Sequence, residues 1–136
     1  MTDAPQNNPA ENTGGLKRVL LVDDNEGNLM AMTLLLKREK MEPETAEDGA
    51  AAIERLGEKS FDLLLSDVDM PNIGGFELLD WVRIHRPEMP VLLMSGSASG
   101  PAGHTARLAF ERGARGILSK PFVAGELERV IADIFR

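Results

Sequence analysis

The residues with the clearest potential for chemistry each follow a short apolar run: Asp23, Asp24, Asp67, Ser95 and Lys120. If these runs are parallel strands, their carboxyl ends meet at one edge of a sheet and bring the polar groups together. Carboxylates that close to one another would raise at least one pKa unless a cation compensates their charge. Magnesium suits a site that offers one or two carboxylates, a backbone carbonyl and water.

A carboxylate beside such a cation could attack a phosphoryl group. Lys120 would add a mobile positive charge, and Ser95 would add a hydroxyl. The cation and the ammonium would together neutralise charge on the transferring oxygens. The pattern therefore indicates phosphoryl chemistry at Asp67.

The surrounding sequence predicts five strands that alternate with five helices. Short apolar runs, the second one weaker than the others, predict strands over Val19–Val22, Glu44–Ala46, Phe61–Leu65, Val91–Met94 and Gly116–Leu118. Helical spacing of apolar residues predicts helices over Asn25–Lys40, Asp48–Gly57, Gly75–His85, His104–Arg112 and Glu126–Phe135. Right-handed crossovers then give an α/β fold, a doubly wound parallel sheet with helices on both faces.

Composition narrows the possible partners and compartments. The chain has 136 residues and is 43% hydrophobic, which suits one domain with one core. A net charge of -7 argues against direct binding of nucleic acid, and the absence of cysteine excludes disulfides and thiolate catalysis. With no secretory signal and no apolar run that could span a bilayer, we expect a cytoplasmic protein without a membrane partner.

The first fifteen residues differ in composition from the rest. They are rich in Asn, Pro, Gly and Thr, which predicts a disordered tail over residues 1–15. Residues 16–136 form the predicted domain. Since the last predicted helix reaches the end of the sequence, we expect either a single-domain protein or a piece of a longer one.

The polar residues at the strand ends resemble a known family. Behind the first, third, fourth and fifth predicted strands stand, in order, Asp23-Asp24, then Asp67 with Met70-Pro71 and Gly75 just beyond, then Ser95, and then Lys120-Pro121. This order resembles the receiver domain of two-component response regulators. Each element alone is weak, but five in the right order are specific. The resemblance covers roughly residues 16 to 136. It implies a flavodoxin-like three-layer fold with five strands in the order 2-1-3-4-5.

The resemblance also implies a set of metal ligands. Asp67 corresponds to the phosphoacceptor, Asp24 to a direct ligand of Mg²⁺, and Asp23 to a ligand that acts through water. The main-chain carbonyl of Asp69 corresponds to a further protein ligand. Mn²⁺ is expected to substitute for Mg²⁺.

Two more residues receive roles in the same way. Ser95 corresponds to the hydroxyl that binds a phosphoryl oxygen, and Lys120 to the lysine that pairs with the phosphoryl group. The family's usual cis peptide bond would lie at Lys120-Pro121. The chain would thus be a phosphoacceptor in signal transduction rather than an enzyme, with slow autodephosphorylation.

The implied partners are a phosphoryl donor and a downstream protein. The donor would be a sensor histidine kinase or a histidine phosphotransfer protein, and Asp23-Asp24-Asn25 followed by Asn28 resembles receivers of hybrid kinases. Docking of a downstream protein, or of a second copy, is expected at the face of the fourth helix, fifth strand and fifth helix. The first helix carries extra apolar residues, Met30, Leu34 and Leu35, which indicate either a docking surface or a wide buried stripe.

Three features depart from the family pattern. Ile117 occupies the position three residues before the lysine, where many receivers have Tyr or Phe. Ser97–Gly103 is long, small and flexible in composition, which predicts a mobile loop and a short or frayed fourth helix. Asp69 adds a carboxylate near the acceptor, and we expect it to alter the lifetime of the phosphoryl group.

Three other functions fit parts of the pattern. Asp67-Val68-Asp69 resembles the two-Asp motif of haloacid-dehalogenase-type phosphatases, although that motif normally follows the first strand. A flavodoxin-like cofactor binder would need a phosphate loop where this chain has Asp23-Asp24-Asn25-Glu26. A receiver that no longer accepts phosphate is disfavoured by the complete acidic set.

Overall fold

A five-stranded parallel sheet with helices on both faces forms the framework of the protein. The computed structural model describes residues 16–96, 102–120 and 125–135. The strands are Arg18–Val22 (β1), Glu42–Ala46 (β2), Leu63–Asp67 (β3), Val91–Ser95 (β4) and Gly116–Ser119 (β5). The helices are Glu26–Arg38 (α1), Gly49–Glu58 (α2), Gly75–His85 (α3), Ala102–Glu111 (α4) and Glu126–Ile134 (α5). The strand order β2-β1-β3-β4-β5 confirms the predicted fold and topology.

Two apolar clusters cover the two faces of the sheet. Because successive side chains of a strand point to opposite faces, Leu20 and Val22 of β1 contact the cluster formed with α2, α3 and α4. Val19 and Leu21 contact the other cluster, formed with α1 and α5. Every residue of β1, β3 and β4 is buried, whereas β2 and β5 are partly exposed edge strands. This arrangement holds the central strand ends rigidly in place.

Side-chain caps explain where two of the helices begin. The side chain of Asn25 accepts a hydrogen bond from the backbone N–H of Asn28 at 2.9 Å, and α1 begins at the next residue. Asp48 caps α2 in the same way, accepting from the N–H of Ala51 at 2.8 Å. Each cap satisfies an N–H group that has no partner within the helix.

Strand pairing moves several boundaries beyond the apolar runs. The sequence predicts that the third strand ends at Leu65, but β3 continues to Asp67, which pairs with Met94 of β4. The N–H of Val68 also donates to the carbonyl of Met94 at 2.8 Å. Backbone hydrogen bonds do not depend on side-chain polarity, so the polar residues Ser66 and Asp67 remain inside the sheet.

The helices match the predictions with small differences. The fourth helix begins at Ala102, two residues before the predicted start at His104. Most of the predicted mobile loop, the predicted tail over residues 1–15 and Pro121 lie outside the described residues, so those expectations stay predictions. Within the described part of the chain, no helix has the length and apolar character needed to cross a membrane.

Some of the extra apolar residues of the first helix lie at the surface, and one lies against the core. Met30 and Leu34 are 66% and 64% exposed. They lie four residues apart and therefore on the same side of α1. Leu35 instead packs against the cluster of α1 and α5. The wide buried stripe is therefore the right interpretation for Leu35 and the wrong one for the other two.

Gly75 gives a testable constraint on the connection between β3 and α3. A Cβ atom at this position would lie 2.4 Å from the carbonyl oxygen of Asp67 and 2.8 Å from the Cα of Val68. Both neighbours are backbone atoms, so Gly75→Ala is expected to lower the free energy of unfolding by about 2 kcal/mol. Urea denaturation followed by circular dichroism measures this change.

Gly57 is the matched control for that substitution. It lies in α2, and a Cβ atom there would have no neighbour within 4 Å. Gly57→Ala is expected to raise the free energy of unfolding by about 0.5–1 kcal/mol through helix propensity. Equal effects of the two substitutions would contradict the close approach at Gly75.

Candidate metal and phosphoacceptor site

Three carboxylates meet where β1 and β3 end. Asp67 is the last residue of β3, and Asp23 directly follows β1. The register pairs Val22 with Ser66, so the residues that follow these two are neighbours at the same edge of the sheet. Asp23, Asp24 and Asp67 can each offer an oxygen atom such that these atoms lie within 4.8 Å of one another.

Lys120 joins two of these carboxylates. Its Nζ lies 3.1 Å from Oδ2 of Asp23 and 3.2 Å from Oδ1 of Asp67. The backbone N–H of Lys120 donates to the carbonyl of Ser95 at 3.0 Å, which places the lysine just beyond the β4–β5 pair. The ammonium of Lys120 therefore forms ion pairs with two buried carboxylates at the ends of different strands.

Asp23 is the most tightly held member of the cluster. It has no exposed surface. Its Oδ1 accepts from the backbone N–H of Asn25 at 2.9 Å, and its Oδ2 accepts from Nδ2 of Asn28 at 3.3 Å in addition to Lys120. The N-cap and the first turn of α1 thus orient a carboxylate that follows β1.

The electrostatics of the site leave an excess of negative charge. Burial raises the pKa of Asp67, the hydrogen bond and charge of Lys120 partly oppose this, and the charges of Asp23 and Asp69 add to it. Burial lowers the pKa of Lys120, but the hydrogen bonds to Asp23 and Asp67 and the charges of these carboxylates together raise it by more, so the net shift is upward. An ion pair alone would lower the pKa of Asp67, and the upward shift shows that the loss of hydration is the larger effect.

A hard divalent cation fits this set of donors. The three carboxylates supply only oxygen ligands, as Mg²⁺ prefers, and one ammonium cannot balance their charge. Asp24 is exposed, so the cluster can be reached from solvent. In the described ranges, this is the only group of three or more His, Cys, Asp or Glu residues with a geometry that could hold a metal ion.

A groove of about 400 Å³ contains the remaining predicted site residues. Ser95 is buried at the end of β4 and contributes to the wall of the groove. Asp69 also lines it, with an exposed side chain that is not part of the carboxylate cluster. Thr105 of α4 also lines the groove. Nothing in the sequence predicted this, because α4 comes close to the groove only in the folded chain.

Ile117 occupies an interior position of β5, where it pairs with Leu93 of β4. It is half-buried and packs against the cluster that includes Ala109 of α4. The position where many receivers have Tyr or Phe is thus filled by a half-buried aliphatic side chain.

The contact between Asn28 and Asp23 was missed by reasoning from the sequence. Asn28 attracted notice only through the resemblance to receivers of hybrid kinases. The available signal was its spacing, because a residue three positions after a helix N-cap lies on the first turn and close to the cap. Only the structure shows that its side chain reaches a carboxylate of the cluster.

Comparison with known proteins agrees with this fold and site. The response regulator receiver domain family matches residues 19–132. The chain is 30% identical to the chemotaxis protein CheY4 of Vibrio cholerae, with a TM-score of 0.78 over 88% of this chain and 98% of that one. It is 26% identical to the response regulator protein TrrA of Thermotoga maritima in complex with Mg²⁺-BeF, with a TM-score of 0.77 over 88% and 99% of the two chains.

Curated relatives extend beyond the matching region. The chain is 36% identical over 124 residues to protein-glutamate methylesterase/protein-glutamine glutaminase 1 of Anaeromyxobacter dehalogenans, covering 88% of this chain and 35% of that protein. It is 32% identical over 119 residues to the cell cycle response regulator CtrA of Brucella ovis, covering 88% and 50%. The chain therefore spans half or less of the length of these relatives.

These findings define the class of protein. The fold is that of a CheY-like receiver, and the chain belongs to the response regulator receiver domain family. This family belongs to two-component signalling, and the acidic cluster of the chain is consistent with the binding of Mg²⁺.

Asp67→Asn tests the charge balance of the cluster. Burial raises the pKa of Asp67, so its ionised form disfavours the folded state above that pKa. Removing the charge is therefore expected to stabilise the metal-free chain at neutral pH. It is also expected to abolish stabilisation by Mg²⁺, which for the native chain is about 2.7 kcal/mol at one hundred times Kd. Urea unfolding with and without Mg²⁺ measures both effects.

The control removes one negative charge far from the cluster. Glu58 is exposed at the end of α2, and Glu58→Gln is expected to leave stabilisation by Mg²⁺ unchanged. If Asp67→Asn kept the full stabilisation, the ion would bind at another place.

Proposed function

We propose that this receiver accepts a phosphoryl group on Asp67, from a histidine kinase or a histidine phosphotransfer protein. The observation that carries the proposal is the buried arrangement of Asp67 and Asp23 around one ammonium, with Asp24 close by. A buried carboxylate with a raised pKa and an adjacent cation is a group poised for chemistry rather than for surface solvation.

The proposed reaction is an attack of Asp67 on phosphorus. An oxygen of its carboxylate forms a bond to phosphorus while the bond between phosphorus and the donor imidazole breaks. The electron pair of the broken bond remains on the imidazole nitrogen, and Asp67 becomes an acyl phosphate. Lys120 is within reach of Asp67 and would pair with an oxygen of the transferred group. Ser95 would bind another of these oxygens from the wall of the groove.

A divalent ion would complete the charge balance of this reaction. Mg²⁺, or Mn²⁺ in its place, would neutralise charge on the phosphoryl oxygens when bound. Asp24, Asp67 and the main-chain carbonyl of Asp69 would hold it directly, and Asp23 would act through water. The residues of this chain supply the nucleophile, its orientation and one fixed positive charge.

A phosphatase of the haloacid dehalogenase type is not favoured. That mechanism would use Asp67 as the nucleophile and Asp69 as a general acid. Asp69 has an exposed side chain outside the carboxylate cluster, and Asp67 ends the third strand, whereas that motif normally follows the first. The family match points to a phosphoacceptor as well.

Labelling with acetyl phosphate distinguishes the two functions. We expect Mg²⁺-dependent addition of a single phosphoryl group, detected by intact-mass spectrometry, and its loss in Asp67→Asn. Asp69→Asn is the matched control, since it keeps the main-chain carbonyl and should still be labelled, with a changed rate of dephosphorylation. Sustained turnover of small phosphate monoesters that depends on Asp69 would contradict the proposal.

The exposed apolar residues of α1 support a docking role for this helix. Met30 and Leu34 lie on the same side of α1, whose first turn contacts Asp23. A donor protein must bring its phosphohistidine to Asp67, so a contact surface beside the site is required. Burial of two such side chains against a partner would be favourable.

Substitution of these residues separates docking from chemistry. The double variant Met30→Ala and Leu34→Ala is expected to slow phosphoryl transfer from a cognate phosphotransfer protein about tenfold, because binding loses apolar contact. Labelling by acetyl phosphate should not change. Rapid-quench transfer assays measure the first rate, and intact-mass spectrometry follows the second.

Ile84 provides a matched control for this test. It is 75% exposed on α3, away from the site end of α1. Ile84→Ala is expected to leave both rates unaltered. Equal slowing by the two sets of substitutions would indicate a general loss of stability instead of a docking surface on α1.

The output of phosphorylation would pass through a different face. Phe110 of α4 is 54% exposed and lies on the helix adjacent to β5. An exposed aromatic ring of this kind suits an interface. Docking of a downstream protein, or of a second copy of the chain, would take place on the surface of α4, β5 and α5.

A further inference from the structure

The carboxylate of Asp23 has more donors than a passive member of an acidic cluster would need. The backbone N–H of Asn25 donates to Oδ1, while Oδ2 receives both Nζ of Lys120 and Nδ2 of Asn28. One donor belongs to the N-cap residue of α1, one lies in the first turn of that helix, and the third comes from the residue after β5. Asp23 is wholly buried, so water cannot replace a missing donor easily.

The two side chains that donate to Oδ2 of Asp23 differ in how firmly they are held in place. The Lys120 ammonium is shared with Asp67, at 3.2 Å, and sits on a flexible side chain. If the lysine turns toward a phosphoryl group on Asp67, Oδ2 of Asp23 loses its strongest partner. Asn28 has a neutral amide on a short side chain, and its backbone is fixed by the N-cap of α1. Its hydrogen bond does not depend on the state of Asp67.

We propose that Asn28 is a positioning residue that holds the carboxylate of Asp23 in its metal-facing orientation, independently of Lys120. This inference rests on the proposed function only in that Asp23 contributes to the binding of Mg²⁺. Outer-sphere hydrogen bonds of this kind orient a ligand and reduce the cost of fixing it on binding. Asn28 acts through Asp23 and needs no contact with the ion.

A double-mutant cycle with Mg²⁺ alone tests the proposal. The native chain, Asn28→Ala, Asp23→Asn and the double variant are titrated with Mg²⁺ at constant ionic strength, and Kd is measured from backbone amide shifts by NMR. Asn28→Ala is expected to raise Kd about 3- to 10-fold in the native background. It should have no effect in the Asp23→Asn background, because the carboxylate it positions is already absent.

Controls separate positioning from a loss of structure. Ala31→Ser changes an exposed residue one turn further along α1 and should leave Kd unchanged. Asn28→Ser, whose hydroxyl is too short to replace the amide, should raise Kd as Asn28→Ala does, and serves if the alanine variant folds poorly. Circular dichroism confirms the helix content of every variant.

The possible results distinguish a failure of the role proposed for Asn28 from a failure of the proposed function. An unchanged Kd in Asn28→Ala, or the same increase in both backgrounds, would overturn the role of Asn28. A native chain that binds Mg²⁺ but cannot be labelled at Asp67 would overturn the proposed function and leave the role of Asn28 standing. An increase confined to the native background supports the proposal.

Discussion

The constraint on which the site depends is the crowding of like charges at one edge of a parallel sheet. Asp23 directly follows β1 and Asp67 ends the neighbouring strand β3, and both carboxylates are shielded from water. Lys120 contacts both carboxylates, yet one ammonium cannot balance two of them together with Asp24. The cluster therefore retains a demand for positive charge. That demand gives a divalent cation a reason to bind at this place.

The rest of the protein maintains this unfavourable arrangement. Two apolar clusters pack against the two faces of the sheet, and all residues of β1, β3 and β4 are buried. Strands held in this way cannot separate to relieve the repulsion between their ends, because separation would expose a large apolar area. Gly75 adds a close backbone contact behind Asp67, which fixes the start of α3. The stability of the cores thus offsets the electrostatic cost of holding like charges together at this edge of the sheet.

Much of the fold and the main members of the site could be predicted from the sequence. Apolar runs and helical spacing located all ten elements, and the polar residues at the strand ends identified Asp23, Asp24, Asp67 and Lys120 before their proximity was known. Boundaries were less accurate where backbone pairing decided them. β3 includes Ser66 and Asp67 because their backbone groups pair with neighbouring strands whatever their side chains are. The exposure of Met30 and Leu34 was also open, since helical spacing alone does not show how wide a buried face is.

By itself the sequence determined which chemical groups stand at the ends of which strands, because residue type and the period of the apolar pattern are local properties. Only the tertiary structure decided how these groups share their partners. Asn28 and Lys120 are 5 and 97 residues from Asp23 along the chain, yet both donate to the same oxygen. Such a contact depends on the packing of α1 against β1 and on the position of the residue after β5 at the same edge of the sheet. Local patterns carry no distances between elements, so the orientation of Asp23 could be known only from the folded chain.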